Sequence, residues 1–162
     1  MSEITAHLQH FDDAWGHDFE SLTYALEGVT EEEAAWQAPC YAADEREEGW
    51  PAPGTVAWQA AHVAHCKRYY TQILLRAGET DPPEAEPWTP LSTYAEIRAA
   101  LDAAHAAQRA AVAALPEERL GEIAGNGMPF REFLAMFTRH DAWHASQVVV
   151  ARRLYRTRPD AG

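Results

Sequence analysis

A chain of 162 residues has room for one domain, expected to span residues 1–162, since roughly 150 residues is the usual allowance for each. Its composition, 47% hydrophobic and 23% charged, is that of a globular protein able to bury a core, which excludes a disordered chain. With 13 Lys+Arg against 25 Asp+Glu the net charge is −12, so a polyanion meets repulsion and nucleic acid is excluded as a partner.

Cys40 and Cys66 are too few for a disulfide framework, and the residues after Met1 are polar and charged rather than apolar. No run of about 18 apolar residues occurs, which leaves no membrane span. A soluble, cytoplasmic protein with no membrane partner is expected.

Four long segments carry helical periodicity and none alternates as a strand does, so an all-α chain is expected. The first, Ser2 to Gly28, sets Ile4, Leu8, Phe11, Trp15, Phe19, Leu22 and Leu26 on one stripe and reads as one helix ended by Gly28. Thr30 with Glu33 then fits a capping box for a short helix reaching Trp36. The second long helix opens after Pro53-Gly54 with Thr55 as its cap, carries Trp58, His62, Cys66, Tyr69 and Ile73, and stops at Gly78. The proline- and acid-rich stretch from Glu79 to Pro90 reads as a crossover loop, because neither flank buries its apolar stripe alone. The third helix, about Ser92 to Leu115, is alanine-rich with Tyr94, Ile97 and Leu101 as its larger groups. Pro129 suits the first turn of the fourth, which runs to about Tyr155. The expected fold is a four-helix bundle with a long crossover connection between its second and third long helices.

The fourth helix has a seam of Phe133, Phe137, His140, His144, Gln147, Ala151 and Leu154. Three successive polar seam positions are costly, at roughly 1–3 kcal/mol for each buried group left without a partner. His140 and His144 stand one turn apart on one helical face, a spacing that lets two imidazoles reach one metal ion, or that pairs both with water or carboxylates. On the second helix, phase puts His62 on the inner face with Cys66 and Tyr69, and His65 at the flank. Three neutral imidazoles leave coordination positions open, as a catalytic metal requires.

The segment from Trp58 through His62 to Tyr69, with His140-Asp-Ala-Trp-His144-Ala-Ser-Gln147 late in the chain, resembles the DinB-like (DinB/YfiT) superfamily of four-helix-bundle metalloproteins. Gly-Val-Thr-Glu-Glu-Glu after the first helix is similar to that family's pattern too, and the resemblance covers nearly the whole chain. It implies His62, His140 and His144 as ligands of a divalent metal, usually zinc or nickel, in a bundle that commonly forms a homodimer. The activities it implies are thiol-dependent S-transfer with a low-molecular-weight thiol such as bacillithiol, mycothiol or glutathione, isomerisation, and hydrolysis.

Gln147 is expected to tie the helix to a neighbour or to hydrogen-bond a metal-bound group. Asp141 supports a ligand histidine or makes an interhelical or solvent contact. Cys66 is expected as a buried, inert cysteine, a fourth ligand being the alternative that would close the site. Trp58, Tyr69, Phe137 and Trp143 are expected as core and pocket wall. His7, His10, His17 and His105 are read as structural or surface residues. No Glu-x-x-His and no His-Glu-x-x-His occurs, which excludes a di-iron carboxylate bundle and the common metalloprotease pattern. Two classes of function remain: a metal-dependent enzyme acting on a small-molecule substrate, S-transferase ahead of hydrolase, or a metal- or ligand-binding bundle without turnover.

Overall fold

The computed structural model describes residues 1–77, 79 and 81–159. Gly78, the expected stop of the second long helix, lies outside them. The described residues form six α-helices and no strand: α1 (Glu3–Gly16), α2 (Leu22–Leu26), α3 (Glu31–Ala35), α4 (Val56–Leu75), α5 (Tyr94–Ala114) and α6 (Phe130–Arg156). Short 3₁₀ turns lie at Pro39–Tyr41 and Glu117–Gly121. Among these residues no helix is long and apolar enough to cross a membrane.

Side-chain caps set most of the helix starts. The hydroxyls of Ser2, Ser21, Thr30, Thr55 and Thr93 accept from the first-turn amides of α1 to α5, and Thr93 with Glu96 completes a capping box on α5. At Thr30 only half of the expected box forms, because the Glu33 carboxylate turns inward and accepts from Arg152 of α6 at 2.9 Å. Just before α4, Gly54 has φ +74°, and a β-carbon there would stand 2.4 Å from the Tyr41 ring.

The expected first helix is broken in two. After Gly16 the chain turns at His17 to Ser21, where Glu20 takes φ +59° and the Ser21 hydroxyl donates to the His17 carbonyl at 2.6 Å. Phe19, placed on the apolar stripe by its spacing, is consequently 66% exposed. The break lets α2 cap the end of the core with Leu22, Ala25 and Leu26.

Two apolar clusters show the topology. The first joins Leu22 and Leu26 of α2, Val56 to Ala64 of α4, Tyr94 to Leu101 of α5 and Ala145 to Ala151 of α6. The second joins Ile4 and Phe11 of α1, Ile73 and Leu74 of α4, Ala111 and Val112 of α5 and Phe130 to Phe137 of α6. Thus α4 and α5 run parallel to each other and antiparallel to α1 and α6. Two adjacent parallel helices require a return connection along the bundle, and the segment between Leu75 and Tyr94 supplies it. Ala57, Ala60, Ala61 and Ala64 are buried on α4, and small residues there let its backbone approach α5 closely.

Between the clusters lies a polar layer. Lys67 of α4 is 1% exposed, and its ammonium donates to Asp141 Oδ2 of α6 at 2.7 Å and to Gln108 Oε1 of α5 at 3.2 Å. The same nitrogen stands 4.5 Å from the centroid of the Phe11 ring. His105 of α5 stacks between Trp15 at 3.8 Å and Phe11 at 4.7 Å. Burial lowers the Lys67 pKa and raises that of Asp141, while their mutual attraction opposes both changes. This pair sets the rotation of α4 and α6 about their own axes.

Candidate metal centre

With Lys67 and Asp141 turned into the core, their chain neighbours Cys66 and His140 face the groove between α4 and α6. The rings of His140 and His144 stand 4.5 Å apart between centroids, and His62 lies 4.8 Å from His144 and 5.5 Å from His140. Cys66, one turn beyond His62, places its sulfur 3.4 Å from His62 Nε2. His62, Cys66 and His140 each offer a ligand atom within 4.8 Å of the others, a set that could hold a metal ion. The His144 ring stands beside this set of three, next to both His62 and His140, without being one of its members.

Burial keeps the imidazoles neutral, as cation binding needs. It lowers the His140 pKa to about 4 and the His144 pKa to about 3, in each case helped by the neighbouring imidazoles. His62 moves down from the same cause, and the Cys66 thiol is pushed up to about 11 by burial, partly offset by Tyr70 and Lys67. His144 Nδ1 lies 2.6 Å from Gln59 Oε1, so that nitrogen donates and Nε2 keeps its lone pair. A ligand histidine is commonly fixed in this way, by an acceptor on its other nitrogen. Gln59→Leu is accordingly expected to weaken metal binding by about 10–100-fold while helical content stays unchanged, read by competition with a chelating dye. Unchanged affinity would leave Gln59 a packing residue.

The other expected site residues divide. Trp58 stacks on His62 at 4.9 Å and 12°, forming a wall of the site. His65 turns aside and meets the stacked pair Trp50 and Trp88 edge-on, at 5.4 Å and 6.5 Å. Tyr69 is half-buried against the second apolar cluster, and it is Tyr70 that reaches His140, edge-on at 5.9 Å. Phe137 is 2% exposed and stacks on Tyr70 at 5.5 Å within the core. Trp143, 67% exposed, stands on the outer face, since two residues beyond buried Asp141 is more than half a turn round α6. Asp141 serves Lys67 rather than a ligand histidine, so of its expected roles the interhelical one is found. Gln147 is half-buried one turn beyond His144.

The buried stripe of α6 also differs from the expected seam. Asp141 and Val148 are fully buried, while His140 and Gln147 flank them and Leu154 is 38% exposed. Spacing on one helix does not reveal this one-residue shift, because the deciding group, Lys67, lies on another helix. Nor does spacing single out Gln59, three residues before His62 on the same face of α4, because its partner His144 lies on α6.

The low histidine pKa values fix a pH response. In the unfolded chain these rings titrate near 6.5, whereas in the fold His105 and His144 do so at about 3 and His140 at about 4, so on acidification the unfolded state takes up protons first. Their contribution is complete above pH 6.5 and is lost as the pH falls towards 4. Urea midpoints of the metal-free protein should therefore drop between about pH 7 and about pH 4.5; equal midpoints would mean that the rings are not held neutral.

The family model of the DinB superfamily matches residues 3–148. No curated protein and no solved structure matches the chain.

Proposed function

Because the chain belongs to the DinB superfamily, we propose that it is a divalent-metal-dependent enzyme acting on a small molecule by thiol-dependent S-transfer. What carries the proposal is the convergence of three neutral imidazoles, from His62, His140 and His144, beside the α4–α6 groove. A zinc or nickel ion bound there would favour the thiolate form of an incoming thiol, which is the nucleophile. Trp58 would shield one side of the site, and Gln59 would hold His144 with Nε2 free. Arg68 and Arg131 are engaged by Glu86 and Glu3, which leaves the exposed Arg139, next to His140, as the best-placed cation for an anionic thiol.

The test is turnover by metal-loaded protein with bacillithiol, mycothiol or glutathione and a panel of electrophiles. Thiol adduct formed by the wild type and lost in His62→Ala is the expected result. Hydrolysis of an ester or amide without thiol would replace S-transfer with hydrolysis, and no turnover by loaded protein would leave a metal-binding bundle. Chelation should leave the helical circular dichroism unchanged, because the two apolar clusters do not depend on the ion; melting on chelation would show a structural metal instead.

A homodimer is part of the same proposal. Its support is an exposed apolar strip on α6, with Trp143 67%, Val150 48% and Val149 43% exposed, next to the half-exposed Tyr24 of α2.

A further inference from the structure

We propose that Cys66 binds the metal as a thiolate, so that the resting centre is held by His62, Cys66, His140 and His144. The inference rests on the metal reading above and adds a sulfur to it. On a tetrahedral zinc ion, with nitrogen at about 2.0 Å and sulfur at about 2.3 Å, two such donors lie about 3.5 Å apart. Cys66 Sγ and His62 Nε2 lie 3.4 Å apart. The sulfur is not a solitary group: His62 and Cys66 form a one-turn pair on α4 that faces the one-turn pair His140 and His144 on α6.

The rotation of α4 holds it there. Lys67, the next residue, is anchored in the core by Asp141 at 2.7 Å, and since Asp141 is itself the neighbour of His140, one ion pair aims both halves of the donor set into the groove. Cys40, the other cysteine, is exposed on the 3₁₀ turn. Three imidazoles with one thiolate suit zinc and exclude magnesium and calcium, which prefer oxygen ligands. The resting centre is then closed. A thiol substrate would bind there by displacing Cys66, whose sulfur would take up the proton the substrate gives up, so the exchange would need no separate base.

Cobalt(II) titration of the full chain tests this, because its visible bands report binding and its near-ultraviolet charge-transfer band reports a thiolate ligand. Wild type and Cys40→Ser should show both, and Cys66→Ser should keep the visible bands and lose the charge-transfer band. A wild type with visible bands alone, or a Cys66→Ser variant that keeps the charge-transfer band, would overturn the thiolate while leaving the metal reading intact. Absence of any cobalt spectrum would overturn both.

Discussion

Lys67→Met is expected to destabilise the protein by about 3–5 kcal/mol, measured as a lower urea midpoint with the slope unchanged. Lys67 and Asp141 are each 1% exposed, and the Lys67 ammonium is the hydrogen-bond partner of both Asp141 Oδ2 and Gln108 Oε1. Removing it strands a carboxylate whose other oxygen, Oδ1, already has no partner, beside a Gln108 whose Nε2 is also unpartnered. The cost belongs to the uncompensated charge rather than to the intrinsic worth of the pair. Lys67→Met with Asp141→Leu should therefore recover most of the loss, since a buried ion pair replaced by apolar residues of similar volume is often neutral or stabilising. A single variant costing less than about 1 kcal/mol would show the pair to be hydrated.

His144→Ala should lower metal affinity by more than about hundredfold, beyond the range for groups that merely orient a ligand. His65→Ala should leave most of the affinity, because His65, at the flank of the site, packs against Trp50 and Trp88. Dye competition on both variants provides the ranking, with circular dichroism confirming that each stays helical. The reverse order would mean that α4 presents its other histidine to α6.

Much of the architecture is legible in the amino-acid sequence, and the misses share a cause. Helix starts follow from local chemistry, so Thr55 and the segment opening near Ser92 can be read directly, and the proline-rich run after α4 marks the crossover. The break at His17 to Ser21 escapes the same reading because Phe19 keeps the apolar period, while the backbone is turned by a left-handed Glu20 and by the Ser21 hydroxyl. At the site, one-turn spacing on α6 and the phase of α4 suffice to bring His62, His140 and His144 together. The sequence does not disclose that Lys67 lies opposite Asp141, which moves the buried stripe of α6 by one residue and sends Trp143 outward. Cys66 is the sharpest case. Its shared face with His62 is visible in the spacing, but only the packed helices place its sulfur near the imidazole nitrogen.

Whether the α4–α6 groove holds one divalent ion is decided by elemental analysis of protein purified without affinity-tag metal. About one zinc or nickel per chain, absent from His62→Ala, is the predicted result. A wild-type chain that carries no metal and takes none up when zinc or nickel is added would contradict it.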